Sequence, residues 1–295
     1  MRAMIFAAGK GTRLSPLTDE RPKPGVPFCN RPLMCEALDV LARAGITEVV
    51  ANTHHLGGEL PRLMEGHVPA GMELRFVHET KLLGTGGGLA NARSLFGDEA
   101  VVVINGDIDF QPDLAAAIAD HERSGALATM VLAPHPDPHR MGAVELDSAG
   151  RVRRLVGRPE RDEELSAYMF TGVQVLSQDA LSDMPKEGCI IRHAYRKWID
   201  GDSLVRGFVS SADFSDLGTL PDYLEGHLRR WTETSVHESA SVDSRAELTR
   251  CWVGAGARVG PVTLRDCVVW DGAEVDVSAE RMVFSREHQV PVGSG

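Results

Sequence analysis

Four charged residues stand where neighbouring glycines, prolines and strand ends could put charge to chemical use: Arg13, Lys23, Asp107 and Asp216. Arg13 follows Ala8-Gly9-Lys10-Gly11-Thr12, and Lys23 lies between Pro22 and Pro24. Glycines after a short apolar run let backbone N–H groups come close to a phosphate, because no Cβ intervenes. Arg13 can grip phosphate oxygens with a forked guanidinium, and Lys23 adds a point charge. The chain has 5 lysines against 26 arginines, so a lysine wedged between prolines stands out. Asp107 follows the run Val101-Val102-Val103-Ile104-Asn105-Gly106, and Asp216 lies in Phe214-Ser215-Asp216-Leu217-Gly218-Thr219. Taken alone, Asp107 could simply end a strand and open a turn. Thr219 with Asp222 already supplies a cap for a helix over residues 220–230, so Asp216 is not needed there. Two carboxylates, each after a strand, suit Mg²⁺ when substrate phosphates and water complete its octahedron. A further glycine cluster, Gly84-Thr85-Gly86-Gly87-Gly88, follows strand-like residues and Glu79 and enters a helix, a setting in which backbone groups hold an anion or a planar ligand.

The two common glycine motifs fit poorly. A dinucleotide fingerprint needs a third glycine where Leu14 stands, and a P-loop needs Gly-Lys-Ser/Thr after a four-residue gap. The segment resembles instead the signature of sugar-1-phosphate nucleotidyltransferases, Gly-x-Gly-Thr-Arg-Leu-x-Pro-Leu-Thr followed by Pro-Lys-Pro, here residues 9–18 and 22–24. The resemblance runs continuously over residues 1–231. It implies that Ala8, Gly9, Gly11, Thr12 and Arg13 wrap a nucleoside triphosphate, while Lys23 steers the sugar phosphate. Asp107 and Asp216 would hold the catalytic magnesium. Glu79, Thr85, Gly86 and Gly87 fall where the family meets nucleobase and ribose. Gly142, Arg158, Thr171 and Gly172 fall on the sugar side. The family usually carries Glu-Lys-Pro there; this chain has Gly157-Arg158-Pro159, so Arg158 keeps a phosphate grip while Gly157 offers no side chain to a hydroxyl.

The implied reaction is attack of a sugar-1-phosphate oxygen on the α-phosphorus of the nucleotide, expelling pyrophosphate. Products split between GDP-mannose, favoured by the C-terminal repeat described below, and a UDP-sugar such as that of N-acetylmuramic acid 1-phosphate uridylyltransferases, which share the Thr-Gly-Gly-Gly loop. A glycosyltransferase using Asp107-Ile108-Asp109 as a metal motif is the rival enzyme. A non-catalytic nucleotide-sugar-binding subunit that keeps the fold is the rival outside enzymology.

These residues need a frame. Strand-like apolar runs at residues 3–7, 48–52, 73–77, 100–104, 126–133 and 173–176 alternate with helical spacing at 32–44, 87–95 and 113–122. That alternation predicts an α/β domain: a Rossmann-like, three-layer, mostly parallel sheet. Residues 143–147 and 152–156 flank Ser148-Ala149-Gly150 as an inserted hairpin. Beyond residue 231 the period changes: Val236/Ala240 recur six residues later as Val242/Ala246, and the same unit returns at Val253/Ala257 and Val269/Ala273, with Val259 and Val275 each six beyond its valine. It predicts a small left-handed parallel β-helix over 232–285, with 286–295 as a loose tail.

Composition narrows the rest. Net charge is −11, against the clustered basic footprint that nucleic acid needs. No apolar run approaches the roughly 20 residues of a membrane span, and the N-terminus lacks a signal-peptide layout. Five cysteines without a C-x-x-C pair point to reduced thiols and a cytoplasmic setting. The eleven histidines, His54-His55 among them, show no metal spacing and read as ordinary polar or core residues. Expected partners are therefore an NTP and a sugar-1-phosphate, with a homo-oligomer possible through edges of the repeat.

Overall fold

The computed structural model describes residues 1–155, 165–230 and 233–293. Its main sheet is built from β1 (Arg2–Phe6), β2 (Glu48–Thr53), β3 (Glu73–His78) and β4 (Val101–Asn105). Next along the chain are β5 (Ile108–Phe110), which lies outside that sheet, then β6 (Ala128–Ala133), β7 (Ala143–Leu146), β8 (Val152–Leu155), β9 (Ser166–Leu176) and β10 (Val205–Val209). The order β8-β7-β9-β4-β1-β2-β3 is parallel from β4 to β3 and antiparallel around β9. β6 also pairs with β9, and β10 joins β6.

Alternate residues of the central strands face opposite cores, as the two-residue period of a strand requires. Ala3, Ile5, Val102 and Ile104 meet Leu38 and Leu41 of α1 (Cys35–Arg43) on one side. Met4, Val101 and Val103 meet Leu89 of α2 (Gly84–Ala92) on the other, with Tyr195 and Trp198. Covered on both faces, β1 and β4 read in sequence as unbroken apolar runs. The expected three layers are present; α3 (Leu114–Ser124) lies with α1 on the first face, whereas α4 (Leu220–Arg230) packs toward the C-terminal strands.

Two elements differ from their sequence spacing. The strand foreseen at 173–176 starts at Ser166, because a register break between Phe170 and Val173 lets one long strand border both β7 and β4. At the break, Gly172 takes φ +82° and leaves no room for a Cβ beside Asn105. Helix α2 begins at Gly84, ahead of the expected residue 87. Glycine is a poor helix former, but Cβ atoms on Gly86 and Gly87 would strike Pro185, Lys186 and Glu187. Packing overrides propensity there.

The C-terminal strands stack in three parallel sheets, the arrangement of a left-handed β-helix. Val236, Val253, Val269 and Phe284 align along one edge, Val242, Val259 and Val275 along the next. Leu248, Leu264 and Ala279 form the third. The small alanines of the repeat, Ala257 and Ala273, sit fully buried within it. The segment expected as a loose tail is instead folded: Gln289–Pro291 turns back antiparallel on Met282–Phe284, and Val290 and Val292 are buried beside Trp270. Those two valines bury apolar surface that a free tail would leave in water.

A seam joins the solenoid to the α/β domain. Leu14, Leu17, Phe28, Leu33 and Tyr223 pack against Trp252, Trp270 and Val283. Trp270 Nε1 donates to the Tyr223 hydroxyl at 3.0 Å, and that hydroxyl donates to the Pro27 carbonyl. Arg21 reaches Asp271 at 2.5 Å. His227 is fully buried, accepts from the Cys29 amide through Nε2 and donates from Nδ1 to the Tyr223 carbonyl. Burial pushes its pKa down to about 4.

Candidate active site

The carboxyl ends of β1, β2, β3 and β4 open on a cleft of about 380 Å³, the edge at which α/β sheets hold ligands. The loop after β1 supplies Ala8, Gly9, Gly11, Thr12 and Arg13 to its wall. Around Gly9 nothing lies within 4 Å of where a Cβ would be, so the backbone is open to a ligand. Gly11 takes φ +66°, where a Cβ would press on Thr18 and Lys23. The Thr18 hydroxyl closes this turn by donating to the Gly11 carbonyl at 3.0 Å.

Asp107 and Asp216 are brought together by a two-stranded ribbon. Strand β5 starts directly after Asp107 and pairs antiparallel with β11 (Phe214–Asp216), so that Ile108 lies opposite Asp216. Gly106 lets the chain turn tightly over β1, since a Cβ there would meet Ile5 at 2.9 Å. Between the two acids sits Lys23, almost wholly buried, with Nζ 2.7 Å from Asp107 Oδ2 and 3.7 Å from Asp216 Oδ1. Arg13 lies 3.6 Å from Asp216 Oδ2, and Gly218 makes room for it, because a Cβ there would approach its guanidinium to 2.8 Å. Thr219 caps α4 as expected, accepting from the Asp222 amide and donating to its carboxylate.

Burial raises the pKa of Asp216; Lys23 opposes that shift and the nearby Asp107 charge adds to it. Two acids converging on one point, each within reach of a cation that substrate phosphates could draw away, suit a divalent cation. Among the described residues no group of three or more His, Cys, Asp or Glu could hold a metal unaided. Further ligands would have to be substrate oxygens and water.

Asp109, the other acid of the Asp-x-Asp spacing, turns elsewhere. Arg230 Nη2 meets its Oδ1 at 2.5 Å and also bonds Glu36. It therefore braces the ribbon from behind and is not among the residues lining the cleft.

Across the cleft, Glu79, Gly84 and Thr85 line the wall. The Glu79 carboxylate is buried, accepting from Asn52 at 2.7 Å and from the Leu83 amide at 2.9 Å. It shapes the loop through Leu83. Gly86 and Gly87 are buried against residues 185–187 and stand outside the cleft lining. On the sugar side, Thr171 donates its hydroxyl to the Val131 carbonyl, which commits it to the strand break. Gly142 takes φ +96°. Neither residue, nor Gly172, lines the 380 Å³ cleft. Arg158, with Gly157 and Pro159, lies outside the described residues.

Sequence reasoning missed Asn52, Asn105 and Gly218, all cleft residues. The signal for the first two was an amide closing an apolar strand, at the edge where α/β folds bind. Gly218 stood inside a recognised motif, but its purpose needs the position of Arg13.

The nucleotidyl transferase family model matches residues 2–232. The chain therefore belongs to the nucleotidyl transferase family, as a sugar-1-phosphate nucleotidyltransferase. It is 30% identical over 292 residues to mannose-1-phosphate guanylyltransferase of Mycobacterium tuberculosis, covering 93% of this chain and 81% of that one. It is 29% identical to UTP–glucose-1-phosphate uridylyltransferase of Synechocystis, over 94% of this chain and 82% of the relative. Among solved structures, HddC from Yersinia pseudotuberculosis, crystallised with GMP-PN, shares the fold with a TM-score of 0.66 and 22% identity, covering 78% of this chain and 99% of that one. No described helix is long and apolar enough to cross a membrane, and all five cysteines are free.

Proposed function

We propose that the enzyme transfers a nucleotidyl group from an NTP to a sugar-1-phosphate, releasing pyrophosphate, with GDP-mannose the favoured product. The observation that carries this reading is the meeting of Asp107, Lys23 and Arg13 in the wall of a cleft whose opposite wall is the Glu79–Thr85 loop, with Asp216, just outside that lining, 3.7 Å from Lys23 and 3.6 Å from Arg13. The incoming sugar phosphate is already anionic, its second pKa being about 6, so no general base is required. Residues 8–13 would cradle the β- and γ-phosphates through backbone N–H groups, with Arg13 stabilising the departing pyrophosphate. Lys23 would release its carboxylate partners to hold the attacking phosphate in line. Residues around Gly84 and Thr85 would meet the base and ribose, and Arg158 the sugar phosphate. Asp107 and Asp216 would hold Mg²⁺. When bound, that ion neutralises charge on the reacting phosphates and aligns both substrates.

The preference for GDP-mannose is supported by the 30% identity to the guanylyltransferase, along nearly the whole chain. The 29% identity to a uridylyltransferase supports a UDP-sugar almost as well. Catalysis is assigned to residues 1–231 and the solenoid to 232–285. A grid of four NTPs against sugar-1-phosphates, read as pyrophosphate release, tests the proposal. Release requiring both substrates is expected for one pairing above the others. Release indifferent to the sugar phosphate, or none with any pair, overturns it.

A further inference from the structure

The end of β2 and the turn after it touch both substrate loops at once. Asn52 accepts from the Ala7 amide at 2.9 Å with its carbonyl and donates to Glu79 at 2.7 Å with its amide. His54 Nδ1 lies 2.8 Å from the Glu79 carbonyl, as donor. His55 points the other way, with Nε2 2.9 Å from the Thr18 carbonyl. Two adjacent histidines thus tie the base loop and the phosphate loop to one point of the backbone. The short helix Glu59–Leu63 continues the contact: Leu63 and Leu60 pack on Gly25, two residues from Lys23, so closely that a Cβ on Gly25 would meet Leu63 at 2.6 Å.

We infer that residues 52–55 are a brace that fixes the separation of the phosphate loop from the nucleobase loop, and that His54 and His55 are positioning residues for the nucleotide. This rests on the nucleotidyl-transfer reading above. Each loop has its own internal bonds: Thr18 to Gly11 in one, Glu79 to Leu83 in the other. Sheet pairing of β1, β2 and β3 spaces the bases of the two loops, and beyond the strand ends their separation is held by Asn52, His54 and His55. A triphosphate nucleotide spans both loops and gains from their fixed separation, because the second contact is then made without further loss of freedom. A ligand that reaches only one loop gains nothing from it.

The difference can be measured by calorimetric titration with three probes: the NTP the enzyme uses, its nucleoside, and inorganic tripolyphosphate. For His55→Leu, NTP affinity should fall about fivefold to tenfold, the worth of one hydrogen bond. Affinity for the nucleoside or tripolyphosphate alone should change less than about twofold. His55→Gln should recover most of the loss, since a side-chain amide still donates to the Thr18 carbonyl. His54→Leu should repeat the pattern from the base side. Unchanged NTP affinity in both leucine variants would overturn the brace. So would equal weakening of all three probes, which would mark local damage. No binding of any NTP by the unaltered enzyme would remove the nucleotidyl-transfer reading itself, and the brace with it.

Discussion

Residues 11–33 have two sides, and the chemistry of those sides is opposite. One side presents Gly11, Thr12, Arg13 and Lys23 to the cleft, where acids and cations crowd together and Asp216 is held above its ordinary pKa. The other side lays Leu14, Leu17, Phe28 and Leu33 against the solenoid, where Tyr223 and Trp270 satisfy each other and the Pro27 carbonyl. The cleft gathers opposed charges around a ligand-sized opening. The seam is mostly apolar, with the Tyr223 and Trp270 polar atoms bonded across it. One short stretch therefore carries reactivity on one face and stability on the other, and the two should respond to different substitutions.

The largest expected effect is on the seam. Trp270→Ala should cost about 3–5 kcal/mol of stability, as for other buried aromatic truncations, seen as a lower urea midpoint, while kcat of the folded enzyme changes less than about tenfold. Loss of activity without loss of stability would show that the faces are not separable. On the cleft side, Asp107→Ala and Asp216→Ala should each lower kcat/KM by about 10²–10³-fold, as removal of one preorganised electrostatic contact does, with little change in the thermal midpoint. Near-normal turnover in both would end the assignment.

A pH series sharpens the contrast. His227 titrates near 4 in the folded chain against about 6.5 unfolded. Between those values the unfolded state binds the extra proton, so stability is full above pH 6.5 and falls as pH drops toward 4. The total is on the order of 3 kcal/mol. His227→Gln should flatten that part of the melting curve against pH; an unchanged slope would place the titration elsewhere. The smallest effect belongs to Thr219→Ala, which removes the cap of α4 and should cost about 1 kcal/mol, read from the same urea melts.

The cleft was largely legible in the sequence because its chemistry is local. Gly9 to Arg13, Lys23 between prolines, and Asp107 after a buried strand each declare themselves within a few residues. The period of the solenoid was legible for the same reason. What the sequence hid was partnership over distance. Gly86 and Gly87 read as ligand glycines, and nothing near them in sequence shows that residues 185–187 pack where their Cβ atoms would be. Thr171 reads as a hydroxyl ligand, and its partner in the structure, the Val131 carbonyl to which it donates, lies forty residues away. The final strand was missed because Val290 and Val292 need a neighbour that only folding supplies.

The Tyr223 hydroxyl, at once acceptor from Trp270 and donor to Pro27, has a practical consequence for truncation. A chain shortened to its first 230 residues would uncover Leu14, Leu17, Phe28, Leu33 and Tyr223 together on one surface. Such a contiguous apolar patch is adhesive in water. Self-association of the shortened protein would then report a wound in the enzyme, and would say nothing of how the intact molecules assemble.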